Sequence, residues 1–443
     1  MAYQFQWLTF SAARQQLAAR LSDSSKVHWT DQELKFYVWQ ALREFNALSY
    51  FWRADFTYNT GSVWNSLALL PGSPRQRTIT DTYCYQIMQA MLFEPMTGGT
   101  WTGTNQFSIT DLSTALQARR DEMIKVTNCN QSLLTGINYA PNTIRYPFPD
   151  TVIDCARVRW LPVVSGNPVT LYRDDTIAQE FYEAPLYELP SGTPNTFSLS
   201  SEPPLAFQVD IAPSQPGTFE AVVLNSGTPF NPPASTLIGI PDDYAWVLIW
   251  GAMADLLGRE SEATDRERSA YCLRRYQDGL NLMLKTPWIE LGKVQGAAVS
   301  VDSIYAADRY SPEWDSSPMT FGPFIVAGGI DFLAAPTNAG IGVTCLGNAP
   351  VPVNDGDFLQ ISRDNWQTVL DLSQVFADFK EGGNDFQQAL GVESRAIQAC
   401  SAENSRLRSM GCFSDILVQR GQVQDRDMER YADASSKGPT KGA

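Results

Sequence analysis

His28-Trp29-Thr30-Asp31-Gln32-Glu33-Leu34, running without a helix breaker to Phe51-Trp52-Arg53, is the stretch from which the fold is read. Thr30 and Glu33 have the T-x-x-E spacing of a capping box, in which each side chain satisfies a backbone N–H at a helix start. Asp31 adds a negative charge at the positive end of the helix dipole. Leu34, Val38, Ala41, Leu42, Phe45 and Leu48 follow on one apolar stripe of helical period. Phe36, Tyr37, Trp39, Tyr50, Phe51 and Trp52 fall off that stripe. A helix with one core face needs one stripe, so this helix is expected to have two partners, one of them on another chain. Phe36, Tyr37 and Trp39 are the candidate interface residues.

Working outward, residues 9–22 predict an amphipathic helix. Phe10, Ala13, Leu17 and Leu21 share a face, and Arg14, Gln15 and Arg20 lie opposite. The short link Ser22-Asp23-Ser24-Ser25 folds it back as a hairpin. Thr80 to Phe93 and the segment from Thr110 predict two more helices. In the second, Leu112, Leu116, Met123 and Val126 face inward, and Arg119, Arg120, Asp121 and Glu122 face outward. Residues 1–135 are thus the N-terminal helical part of a core. Over 136–240 prolines recur between short runs rich in β-branched and aromatic residues, such as 156–164, 169–172, 181–187 and 219–224, which reads as an inserted β-sandwich or small barrel. Pro241-Asp242-Asp243 opens a new helix, with the aspartates as caps. Tyr244 to Leu257 is apolar nearly all round and should be buried. Asp265 to Leu284 is its partner, so 241–298 completes the core. Residues 299–418 are a mixed region with weak strands at 323–326 and 342–346. A helix from Asp364 ends at Gly382-Gly383, and a long helix follows. Residues 419–443 are polar and form an extended tail held by a partner. The expected class is α+β: a helical bundle core, an inserted β-sandwich-like module, a long C-terminal helix and an extended tail.

Hydrophobic residues make up 44% of the 443 and charged residues 18%, enough for a sizeable core and against wholesale disorder. The formal charge of -15 argues against a protein whose main task is gripping phosphate backbones. The seven cysteines include no C-x-x-C pair, which points to free, mostly buried thiols. No basic segment with an apolar run follows Met1, so no secretory signal is expected. The most apolar window is too short to span a membrane.

Catalytic chemistry has little to work with. His28 is the single histidine, which excludes H-E-x-x-H and leaves any Ser-His-Asp system dependent on it. No P-loop occurs. Asp174-Asp175 follows a strand and reads as a turn, Asp242-Asp243 is explained by capping, and Asp355 with Asp357 lacks the distal ligands of a calcium loop. No catalytic residue, cofactor or metal is expected, and the protein is not read as an enzyme. Arg274-Arg275 is a candidate interface pair for an acidic partner.

Three stretches carry a resemblance. Trp29-Thr30 through Glu33-Leu34, Tyr37 and Ala41-Leu42-Arg43 is the first. Ile240-Pro241-Asp242-Asp243-Tyr244-Ala245-Trp246 through Gly251 to Leu257, with Tyr271-Cys272 and Arg274-Arg275-Tyr276, is the second. Phe358 to Asp364, then Trp366 and Phe379-Lys380 with Gly382-Gly383, is the third. Together they resemble the head-to-tail adaptor proteins of tailed bacteriophages. The resemblance implies a structural protein of the virion neck, assembled in the host cytoplasm as a ring, typically of twelve copies. It would dock under the portal protein and lead to a tail or nozzle protein, with DNA only as passing cargo and no membrane. Lys437 and Lys441, in the tail, are then candidate contacts. The alternatives are a tail nozzle or other neck component, or a glycan-binding protein using Trp160 and Asp174 of the β module.

Overall fold

The structure, a computed structural model, describes residues 5–58, 68–69, 77–92, 107–127, 129–163, 169–174, 191–200, 204–232, 234–259, 265–285, 289–294, 329–330 and 341–409. The expected strands at 181–187 and 323–326, the second half of Asp174-Asp175, and the tail with Lys437 and Lys441 lie outside the described residues.

Helix α1 (Phe10–Arg20) and helix α2 (Asp31–Ser49) form the expected hairpin. The capping box is complete: Thr30 N donates to Glu33 Oε2 at 2.7 Å, and Glu33 N donates to Thr30 Oγ1 at 3.3 Å. Tyr50, at φ 55°, turns the chain out of α2. Helix α3 (Asp81–Met91) starts at Thr80, whose side chain accepts from Tyr83 N. Helix α4 (Ile109–Thr127) starts one residue before Thr110. Ser108 and Asp111 hold each other's backbone N–H there, a reciprocal cap.

Helix α5 (Ala245–Gly258) is buried on nearly every side, as its apolar sequence required, and helix α6 (Arg266–Lys285) lies against it. Two glycines set that contact. A Cβ on Gly279 would meet Val247 Cγ2 at 2.4 Å, and one on Gly251 would meet the Tyr276 ring at 2.7 Å. Helix α7 (Arg363–Glu381), capped by Ser362, packs on α2. Gly382 and Gly383, at φ 70° and 56°, break it from helix α8 (Gly383–Ser409), a conformation that favours residues without a Cβ. One hydrophobic core joins residues of all eight described helices.

The strands are β1 (Arg53–Tyr58), β2 (Ala68–Leu69), β3 (Gln131–Asn138), β4 (Arg145–Pro147), β5 (Val152–Pro162), β6 (Val169–Arg173), β7 (Ser191–Gly192), β8 (Thr196–Ser200), β9 (Ala206–Val209), β10 (Ala212–Pro213), β11 (Gly217–Asn225), β12 (Ile289–Val294), β13 (Gly329–Ile330) and β14 (Ile341–Leu346). The main sheet runs in the order β3-β11-β5-β6-β8-β9-β4. Its pairings are antiparallel except that of β6 with β8. The sheet curls. Tyr146, on the β4 edge, stands 4.7 Å from Phe219, on the strand next to the opposite edge, and 5.1 Å from Phe207. These rings and Trp160 fill a second core, separate from the helical one. Outside this sheet, β14 lies between β1 and β12, β2 pairs with β13, and β7 with β10. The class is α+β.

Several expectations about faces are corrected. Phe36 (1% exposed) and Tyr37 (0%) lie inside the subunit. Phe36 and Trp39, from the second stripe of α2, meet Tyr83 of α3, and Trp39 also meets Phe10 of α1, all in the same chain. Arg14 is buried rather than opposite the core, ion-paired with Asp31 and Asp355. Arg120 (0% exposed) is also inside; its Nη1 donates to Thr228 O at 2.6 Å and its guanidinium lies 4.2 Å from the Phe230 ring centroid. Val126, expected inward, is 44% exposed.

Candidate functional site

The three stretches singled out in the sequence touch in pairs: Glu33, from the first, meets Lys380, from the third, and Trp250, from the second, meets Phe379, from the third. Trp250, from the second, stacks on Phe376 at 5.5 Å and meets Phe379 edge-on at 4.8 Å, both from α7. Asn46, from α2, ties the joint: its Nδ2 donates to Asp243 Oδ2 at 2.7 Å and to Gly347 O at 2.8 Å. Asp243 Oδ1 accepts from Ala349 N at 3.1 Å. Asp242 accepts from Thr78 N, Thr78 Oγ1 and Ile79 N at 2.8, 2.6 and 3.0 Å. These two aspartates make no side-chain cap on the turn they open. They clamp backbone groups far away in sequence, which corrects the capping assignment.

Beside this joint lies a buried charge cluster. Arg275 donates from Nη2 to Glu44 Oε1 at 2.5 Å, and its Nη1 is 3.0 Å from Glu393 Oε1. Glu44 comes from α2 and Glu393 from α8, so one guanidinium links three helices. All three side chains are at most 5% exposed. Trp246 and Trp250 present their faces to Arg275 at 5.1 and 5.8 Å. Burial pushes the Glu44 carboxyl above its ordinary range, and Arg275 only partly offsets this. A second buried pair joins Lys380 Nζ to Glu33 Oε1 at 2.8 Å, with the His28 carbonyl as a further acceptor at 3.3 Å.

On the surface at the end of α7, a cleft of ≈ 620 Å³ opens between the α1–α2 link, α7 and α8. Asp378, Glu381 and Asp385 line it from around the Gly382-Gly383 break, with Trp29 and Arg395. Asp378 is 9% exposed; burial first, then the charges of Asp385 and Glu381, pushes its carboxyl up to about 6. Its ordinary value is 3.8. Between those two pH values the folded chain holds a proton that the unfolded chain has released, so stability is lost as pH rises through this window. Asp378→Asn keeps an oxygen to accept from Gln374 Nε2, now at 3.0 Å from Asp378 Oδ2. The variant is expected to melt above the wild type at pH 8, with the difference gone below about pH 4. Thermal unfolding across pH checks this.

The sequence-derived site residues scatter. Phe36, Tyr37 and Arg275 (4% exposed) are enclosed, so none offers a surface to a neighbour in this subunit. Trp39 is half-buried between the rings of Phe10 and Tyr83, at 6.2 and 6.1 Å, and its Nε1 donates to Pro352 O at 2.8 Å. Trp39→Asp is therefore expected to destabilise the subunit by about 2–3 kcal/mol in denaturant unfolding, rather than to act only between chains. Arg274 stays outside, its side chain 60% exposed and 4.0 Å from Glu393. Trp160 is 1% exposed in the β-sheet core, so it offers no face to a glycan. Among the described residues, no group of His, Cys, Asp or Glu is placed to hold a metal ion, and Cys84, Cys129, Cys155, Cys272 and Cys400 are free and buried. His28 Nε2 lies 2.8 Å from Glu381 Oε1 at the rim of the cleft. Sequence reasoning missed the cleft. Its signal was three carboxylates around a double glycine, which by pattern alone marks a helix break.

No protein-family model matches this chain, and no curated protein sequence matches it. Among the described residues, no helix is long and apolar enough to cross a membrane.

Proposed function

We propose that this protein is a structural virion component: a ring-forming head-to-tail adaptor that docks under a portal protein, joins it to a tail or nozzle protein, and forms part of the channel through which DNA passes. In this proposal it is not an enzyme, it takes no cofactor, and its place is the neck of the virion. The helical bundle is the connecting body, and the sandwich-like β module is an insertion upon it.

The observation that carries this reading is the convergence of the three adaptor-like stretches. They begin near residues 29, 240 and 358, yet Glu33 of the first pairs with Lys380 of the third, and Trp250 of the second meets Phe379 of the third. The charge of -15 supports the same reading, since an acidic surface lets a polyanion slide past instead of gripping it.

The test is assembly. The purified full chain, mixed with portal rings, is expected to form rings of defined rotational symmetry bound to the portal in electron micrographs. Protein that stays monomeric with portal present would overturn the proposal.

A further inference from the structure

Helix α8 is held to the bundle by one row of side chains. Phe386, Ala389, Glu393, Ala396, Cys400 and Glu403 are buried, at spacings of three and four residues, and the positions between them are exposed or half-buried. Phe386 is the one large apolar side chain of the row, and the half-buried Leu390 adds to it. Such a row takes little apolar surface out of water, so the docking of α8 leans on polar contacts. Arg275 of α6 stands 3.0 Å from Glu393, and Asn365 Nδ2, at the start of α7, donates to Glu403 Oε1 at 3.1 Å.

The charges at the centre of this contact do not balance. Glu44 of α2, 0% exposed, and Glu393 of α8, 4% exposed, face one guanidinium, that of Arg275. Tyr271 of α6 and Cys400 of α8 also face Glu44; burial pushes both up, so both stay neutral. Helix α5 brings the rings of Trp246 and Trp250. Arg43, beside Glu44 on α2, donates to Tyr83 Oη, and the buried charges of α7, Lys380 and Asp378, are bonded to Glu33 and Gln374. Glu403 lies beyond Cys400, and Arg274 is outside, its side chain 60% exposed and 4.0 Å from Glu393. Two carboxylates thus share one buried cation, and Glu44 Oε2 has no hydrogen-bond partner. A proton on Glu44 removes the excess charge.

The connection to α8 can turn. Gly382 is the one residue between α7 and α8, and it and Gly383 take φ 70° and 56°. A Cβ on Gly383 would meet nothing within 4 Å. We propose that α8 is an arm that swings off the bundle about Gly382-Gly383 and docks with uptake of one proton on Glu44, so that rising pH releases it. When the arm leaves, Glu393 leaves with it and water reaches Glu44. Water and Arg275 then hold that carboxyl at or below its ordinary value of 4.5. The docked arm keeps a proton that the released arm gives up, so docking weakens as pH rises above that value. The device stands apart from the ring-forming reading.

Hydrogen exchange of the full chain, read by mass spectrometry and divided by the intrinsic rate at each pH, tests it. In the wild type, the amides of α8 are expected to be less protected than those of α5, and their protection to fall on the order of tenfold from about pH 5 to about pH 8. Glu44→Gln keeps an oxygen for Arg275 and carries no charge, so in that variant α8 should stay protected at about pH 8 and lose the pH slope. Glu393→Gln should flatten the slope likewise, from the other side of Arg275. The α5 amides in the same spectra show that each variant is folded. If α8 is as protected as α5 at every pH, it does not swing on its own and the proposal is overturned. If α8 opens first but its slope persists in both variants, the proton is held elsewhere and the proposal is overturned as well.

Discussion

Arg275→Ala is expected to cost about 3–5 kcal/mol of folding stability, the usual price of removing one partner from a buried ion pair. Arg275 stands between Glu44 and Glu393, at 2.5 and 3.0 Å, in a site nearly closed to water. Without it Glu44 remains buried with no cation, and Glu393 keeps only Arg274, 4.0 Å away. The effect has a pH signature. Burial already raises the Glu44 carboxyl, and Arg275 is what holds it down. In the variant that carboxyl rises further, so the folded chain keeps a proton that the unfolded chain loses above its ordinary value of 4.5. The stability lost by the variant therefore grows as pH rises from about 4 toward 8. Urea unfolding at several pH values checks both the size and the slope. A uniform loss at every pH would mean that lost packing against Trp246 and Trp250 dominates.

Trp250→Ala should have a comparable effect, about 3–5 kcal/mol, for a different reason. Trp250 is 0% exposed and meets Tyr271, Phe376 and Phe379 at 5.4, 5.5 and 4.8 Å. Its removal leaves a cavity where α5, α6 and α7 converge, and packed rings collapse into such a space only in part. Here no pH dependence is expected beyond that of the wild type. Denaturant unfolding measures the loss. Trp250→Phe, which keeps most of the volume, should recover much of it.

Much of the local structure was legible because it is decided by near neighbours. Thr30 and Glu33 form the capping box that their spacing announced, and Gly382-Gly383 ends a helix because two successive positive φ angles suit glycine. The apolar run of α5 had to be buried wherever it went.

Charged residues were the systematic failure. Arg14, Arg120 and Arg275 were each assigned to a surface, and each is inside. A lone arginine reads as exposed because burying its charge is costly unless a partner is supplied. The partners are Asp31 and Asp355, the Thr228 carbonyl and Asp121, and Glu44 and Glu393, most of them more than a hundred residues away. No window of sequence contains them together. The extra stripe of α2 misled for the same reason: it showed that a second partner was needed, and nothing local could show that Phe10 of α1 and Tyr83 of α3 would supply it.

By itself, then, the sequence determined the helix starts and stops, the buried α5 and the α+β class, since caps, breakers and apolar periodicity act over a few residues. Only the tertiary structure decided which faces of α2 are core, which arginines are enclosed and where three carboxylates gather into a cleft. Those outcomes depend on contacts between segments whose separation along the chain leaves no trace in their local pattern.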